Sequence, residues 1–214
     1  MSISSKHPIP PLPDFPRLAE SEIDAQADAW AKSCPAPSAV WIFATGSLIW
    51  NPEIPYVERR RAAIDGWHRA LCLYSVHFRG TCERPGLVMG LAPGGHCEGC
   101  AFRIDPDRLE EAARILWRRE MGHGSYRLIP LRAQTDQGEI DCYSFTPCPD
   151  HPQCAFDLPE DVIEETVRSA SGERGPNIDY VLNTVTHLDE LGIHDPALHR
   201  LAAKLTGATR KETA

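Results

Sequence analysis

A glutamate stands where the surrounding pattern asks for an apolar side chain. The segment DPDRLEEAARILWRRE, Asp105 to Glu120, reads as a helix opened by an Asp-Pro pair at its N-cap and first position. Its apolar stripe is Leu109, Ala112, Ala113, Leu116 and Trp117. At about 100° per residue Glu120 falls about 20° from Leu109, in the middle of that stripe, while Arg114 and Arg118 point the other way. Burial and the negative end of the helix dipole both raise a carboxyl pKa. A carboxylate tuned upward suits general acid–base chemistry near neutral pH. The plainer alternative is a frayed helix end, with Glu120 solvated or paired with Arg119 or Arg127.

Two further stretches carry possible chemistry. VWIFATGSLIW, Val40 to Trp50, interrupts an apolar run with Thr45, Gly46 and Ser47 before Leu48 resumes it. This is either a turn or a loop whose Gly46 to Leu48 amides hold an anion, as backbone nests do. Ser47 lacks the Gly-x-Ser-x-Gly surroundings of an activated nucleophile. HCEGC, His96 to Cys100, contains Cys97 and Cys100 in a Cys-x-x-Cys spacing. Zinc would need two more ligands, and Cys148, His151 and Cys154 could complete a site only in space, at no known zinc spacing. A redox motif would open a helix, whereas GGHCEGCAFRI reads as a hairpin feeding a strand.

The elements that must position these residues follow from pattern. Prolines 8, 10, 11, 13 and 16 make residues 1–38 an extended arm, with a short helix over Ser21 to Lys32. Short strands are expected at 40–44, 62–64, 70–76, 87–91, 100–104, 126–133 and 139–145, separated by turn residues. After the helix ending near Glu120, others open at Pro159 and Asp195-Pro196. A stripe of Ile178, Val181, Leu182, Val185 and Leu188 between these two stops at Gly192. Strands early and helices late predict an α+β domain over 39–206, built on a small, curved, mostly antiparallel sheet or partial β-barrel with surrounding helices. A tail covers 207–214.

Composition narrows the function classes. The chain has 214 residues, 42% of them hydrophobic, which suits one domain with an attached arm. A net charge of −8 argues against nucleic acid, because phosphate contacts need a basic face. No run approaches the roughly 18 apolar residues of a membrane span. The N-terminal residues lack the apolar core of a secretory signal, so a cytoplasmic protein with its eight cysteines as free thiols is expected.

Five segments together resemble one family. WIFATGSLIWNPEIPY, FRGTCERPGLVMGL, LWRREMGHGSYR, DHPQCA and GPNIDYVLNTVTHLDELGIHDPALHRL are similar, in order and spacing, to the ChaC family of glutathione-specific γ-glutamylcyclotransferases. The likeness runs over about residues 39–205. It implies the γ-glutamylcyclotransferase-like fold and cleavage of glutathione to 5-oxoproline and cysteinylglycine, with no cofactor and no metal. It also implies Glu120 as the acid–base and Thr45, Gly46, Ser47 and Leu48 as the loop holding the γ-glutamyl group. Arg79, Glu83 and Tyr126 fall in matched segments as substrate-binding candidates. Thr45 and Cys154 stand where the family carries tyrosines. That keeps two alternatives open: a cyclotransferase for another γ-glutamyl compound, and a non-catalytic γ-glutamyl-binding or regulatory protein on the same fold.

Overall fold

The structure, a computed structural model, describes residues 8–207, so the expected C-terminal tail beyond Gly207 and the first seven residues of the arm lie outside the described residues. The chain divides into two units, the first made of Phe15–Ala70 and Met89–Cys154, the second of Met1–Asp14, Leu71–Val88 and Ala155–Ala214.

The first unit is organised by a closed barrel. Its strands are β1 (Trp41–Ala44), β2 (Tyr56–Ser75), β3 (Gly86–Ile104), β4 (Tyr126–Thr135) and β5 (Gly138–Pro147), in the order β1-β3-β2-β4-β5. Residues 71–75 of β2 and 86–88 of β3 belong to the second unit. β1 runs antiparallel to β3, with Ala44 opposite Cys100, and one parallel pair, Ile42 with Tyr143 of β5, closes the ring. The expected curved sheet is therefore fully closed. β4 and β5 form a hairpin whose turn ends at Gly138, which takes a φ of 103°.

β2 and β3 differ from the sequence expectation. Each covers what the pattern splits into two short strands. The splitting signals are real but local: Gly66, Gly94 and Gly95 take positive φ inside strands, which bends the backbone without ending the strand. His68 Nδ1 donates to the Gly94 carbonyl at 2.9 Å, holding the bend of β3 against β2.

The barrel interior is filled by Trp41, Phe43, Ala62, Ile64, Leu91, Cys97, Ala101, Ala133 and Cys142. All four residues of β1 are buried, so both its faces are covered and it reads as a continuous apolar run. Helix α1 (Glu20–Ser33) lies against α2 (Leu109–Glu120), placing Trp30 5.0 Å from Trp117 and edge-on to Tyr143. Arg114 and Arg118 do point away from the apolar stripe, but they meet α1: each makes a two-pronged pair, with Asp28 and Asp24 respectively. The start of α2 is also tighter than the Asp-Pro pair implies. Asp105 accepts from the Asp107 amide at 3.1 Å, two residues on, and residues 106–108 form a 3₁₀ turn before the α-helix begins.

In the second unit, α3 (Glu160–Ser169) and α5 (Pro196–Leu205) begin where the sequence places their start signals, and α4 (Asn177–Glu190) covers the stripe between them. The Asp195 carboxylate accepts from the Leu198 amide at 3.0 Å, capping α5. Buried Asn177 grips both backbone groups of Leu87, accepting at 2.6 Å and donating at 2.7 Å, which ties the start of α4 to β3. A two-residue pair, β6 (Ser171–Gly172) with β7 (Gly175–Pro176), precedes α4. No helix among the described residues is long and apolar enough to cross a membrane.

Gly99 sets the approach of β3 to the end of β1, because a Cβ there would lie 2.2 Å from the Ala44 carbonyl oxygen and 3.0 Å from the Phe43 ring. Gly99→Ala is expected to destabilise the fold by about 2 kcal/mol or more, lowering the thermal midpoint by roughly 4–8 °C. A calorimetric scan showing no change would contradict this packing.

Candidate active site

Glu120 is the last residue of α2. The stripe residues Leu109, Ala112, Ala113, Leu116 and Trp117 are all buried, and Glu120 follows them inward, keeping 20% of its side-chain exposure. Loss of solvent pushes its carboxyl pKa upward, opposed by the charge and the hydrogen bond of Arg119. Desolvation is the larger effect, so Glu120 holds a proton to higher pH than an ordinary glutamate.

Arg119 is the hub of the surroundings. Its Nε donates to Glu120 Oε1 at 3.1 Å, its Nη2 to Ser47 Oγ at 2.7 Å and its Nη1 to the Asn51 carbonyl at 2.6 Å. The Glu53 carboxylate lies 3.6 Å from Nη1. One guanidinium fork therefore joins the end of α2 to the loop after β1, and its planar geometry suits several acceptors at once.

That loop runs from Thr45 into a 3₁₀ turn over Ser47–Ile49. The Ile49 amide donates to the Gly46 carbonyl at 2.9 Å and the Asn51 amide to the Ser47 carbonyl at 3.0 Å. Among the described residues, the amides of Gly46, Ser47 and Leu48 donate to no protein acceptor. Three successive N–H groups left open at the start of a turn form a concave, partly positive surface suited to a carboxylate or a developing oxyanion. Thr45 itself turns inward: it is 8% exposed, with its hydroxyl 3.4 Å from Cys97 Sγ. Leu48 is buried as well.

The remaining sequence candidates fall in two places. Tyr126 opens β4 in the same unit as Glu120, and its hydroxyl donates to the Met89 carbonyl at 3.3 Å. Arg79 and Glu83 belong to the second unit. There Arg79 Nη1 donates to the carbonyls of Arg174, at 2.6 Å, and Pro176, at 3.3 Å, and its guanidinium lies 5.5 Å from the Tyr180 ring. Glu83 is exposed in a turn closed by the Thr81 amide donating to the Arg84 carbonyl.

Cys97 and Cys100 do not form a working pair. They lie three residues apart on β3, which spans about 10 Å and turns them to opposite faces. A disulfide needs Cα atoms within about 7 Å. Cys97 fills the barrel core, and burial raises the Cys100 thiol pKa. Among the described residues no three His, Cys, Asp or Glu side chains gather where a metal ion could sit.

Sequence reasoning placed Arg119 only as one alternative partner of Glu120 and assigned nothing to Arg69, whose Nε donates to the Thr45 carbonyl at 2.6 Å. Neither role has a spacing signal, since both side chains act on residues far away in the chain. Replacing Arg119 removes the groups that lower the Glu120 pKa. Carbon-detected NMR titration of Arg119→Gln should show the Glu120 carboxyl titrating at higher pH than in the native protein. An unchanged or lower midpoint would contradict the pairing. Stability follows with a defined sign. A carboxyl whose folded pKa is raised stabilises fully below its unfolded value of about 4.3, and that contribution is lost as pH rises through the folded pKa. Glu120→Gln should therefore melt a few degrees above wild type at pH 7, the gap closing toward pH 4.

Residues 40–207 match the family described as ChaC-like protein. The chain is 36% identical over 168 residues to the glutathione-specific gamma-glutamylcyclotransferase of Escherichia coli (strain K12), covering 78% of this chain and 73% of that one. It is 31% identical over 152 residues to gamma-glutamylcyclotransferase 2-1 of Arabidopsis thaliana, covering 66% and 70%. A crystal structure of the yeast γ-glutamyl cyclotransferase specific to glutathione superposes with a TM-score of 0.73 at 18% identity. It covers 83% of this chain and all of that one, and so establishes a shared fold. With the family match spanning nearly all of the chain beyond its arm, the protein belongs to the ChaC family.

Proposed function

We propose that the protein cleaves glutathione to 5-oxoproline and cysteinylglycine, with Glu120 moving the protons and the Thr45 to Leu48 loop holding the γ-glutamyl group. The observation that carries this reading is the fork of Arg119, which links a carboxyl of raised pKa to the Ser47 hydroxyl, in a loop whose Gly46, Ser47 and Leu48 amides meet no acceptor among the described residues. The glutathione-specific names of the relatives support the choice of substrate.

The chemistry balances within the substrate. Its α-ammonium gives a proton to the Glu120 carboxylate, and the freed amine attacks the γ-carbonyl carbon. The carbonyl oxygen becomes an oxyanion facing the loop amides. Glu120 passes its proton to the cysteinyl nitrogen, takes the second proton from the ring nitrogen and hands it to the departing amine. The old amide bond breaks, cysteinylglycine leaves as an ammonium and the five-membered lactam remains. No water is consumed and nothing is oxidised. Ring closure within one molecule can gain roughly 7–11 kcal/mol from positioning alone, and a placed acid–base group roughly 100- to 10,000-fold more. The upward pKa of Glu120 narrows the gap to an α-amino group near 8, which eases the first transfer. Open amides aimed at the oxyanion would stabilise charge only as it develops. Tyr126, in the same unit as Glu120, and Arg79 and Glu83 are kept as substrate-binding proposals on the strength of their matched segments.

Thr45 favours a narrower second reading. Its side chain is turned toward Cys97, so where the family has an aromatic ring this chain presents only backbone at that step of the loop. A related γ-glutamyl compound could then be accepted alongside glutathione.

Glu120→Gln keeps the shape and loses proton exchange at neutral pH. It should fold, still bind glutathione, and lose roughly two to four orders of magnitude in kcat, read as 5-oxoproline formed. A variant within a few-fold of wild type would remove Glu120 from the mechanism.

A further inference from the structure

A second arginine meets the loop that follows β1, and its geometry bears on the loop's amides. Arg69 lies on β2 and is only 6% exposed. Its Nε donates to the Thr45 carbonyl at 2.6 Å, and its Nη2 donates to the Glu98 carbonyl on β3. In the strand order β1-β3-β2 the side chain therefore reaches across β3 to the residue that follows β1. A buried guanidinium is costly unless its donors are used, and two of them here meet the main-chain oxygens of Thr45 and Glu98.

The peptide unit turns this contact into a directional constraint. Every peptide bond among the described residues is trans, so the Thr45 carbonyl and the Gly46 N–H point in opposite directions across one rigid plane. Fixing the carbonyl toward Arg69 fixes the Gly46 N–H away from it, on the side where no protein acceptor meets it. A cation on the carbonyl also polarises the amide, which makes its N–H a stronger donor to an anion. Ser47 is held separately, through its hydroxyl, by Arg119. The loop is thus gripped by two arginines from different elements, β2 and α2, with the Gly46 and Ser47 amides between the grips along the chain.

We infer that Arg69 is a positioning residue: it sets the direction and donor strength of the Gly46 amide and thereby tunes the hold of the loop on the substrate's carboxylate or oxyanion. This deepens the function proposed above and rests on it. Lysine cannot reproduce the grip, because a single ammonium on a flexible stem lacks the planar fork that reaches two carbonyls in fixed directions.

The test uses the full-length protein as wild type, Arg69→Lys and Arg69→Ala. Arg69→Lys should fold and lose about 10- to 100-fold in kcat/KM for glutathione, with the pH profile of the remaining activity unmoved because Glu120 is untouched. In Arg69→Ala the vacated space should admit guanidinium, so millimolar guanidinium should restore activity several-fold where ammonium does not. If Arg69→Ala fails to fold, the lysine variant alone decides. Native kcat/KM in folded Arg69→Lys, or a moved pH profile, would overturn the inference. A second readout needs no activity: the Gly46 amide resonance should shift in Arg69→Lys, whereas an unmoved resonance would also overturn it. If wild type forms no 5-oxoproline while the Gly46 resonance does move, the reaction proposed above fails and the control of the amide by Arg69 stands.

Discussion

Arg119 is the point on which the site depends, because it reconciles two demands that oppose each other. A carboxyl at the end of an amphipathic helix, following five buried neighbours, loses water and is driven toward its neutral form. In the proposed role the same carboxyl accepts a proton and so has to remain ionisable. The guanidinium at 3.1 Å supplies partial compensation: it lowers the pKa of Glu120, yet less than desolvation raises it. The same cation is committed to Ser47, Asn51 and Glu53. The helix end and the loop are consequently one electrostatic unit, and neither can shift without breaking a charge-assisted bond of the other.

The barrel beneath supplies rigidity of a different kind. Close approach at Gly99 brings β3 against the end of β1, and the packed interior of Trp41, Phe43, Ile64 and Cys97 leaves the loop a fixed starting point. The thiols serve this packing. Burial pushes the Cys142 thiol up to about 12, so at neutral pH it remains a protonated, weakly polar side chain within an apolar core. α1 adds support from outside, its Trp30 wedged against Trp117 and Tyr143 while Asp24 and Asp28 meet the arginines of α2. Those exposed ion pairs contribute little stability each, so the aromatic contact carries more of the docking.

Periodicity made the helices legible, and with them the most informative residue. The stripe of α2 and the placement of Glu120 upon it are properties of one segment, readable without partners. Caps at Asp195 and the break at Gly192 were readable for the same reason. The long strands were not, because Gly66, Gly94 and Gly95 give a turn signal whether the chain reverses there or merely bends. Arg69 and Arg119 escaped for a deeper reason. Their partners Thr45 and Ser47 lie 24 and 72 residues away, and no local spacing announces a contact made only once the barrel has closed. The Cys-x-x-Cys spacing failed in the opposite direction: it is a strong local pattern that the alternation of β3 splits between two faces. The roles of Arg79, Glu83 and Tyr126 came from resemblance alone, and no physical pattern in their own segments stands behind them.

The central claim is that a desolvated carboxyl at position 120 controls the protons of γ-glutamyl ring closure. The most direct measurement is the pH dependence of kcat/KM for glutathione, set beside the titration of the Glu120 carboxyl observed by NMR in the free protein. The account predicts an ascending limb, above the ordinary carboxylate range, at the same pKa as Glu120, since kcat/KM reports groups of the free enzyme. A limb at an ordinary glutamate value, or one that departs from the observed Glu120 titration, would contradict it.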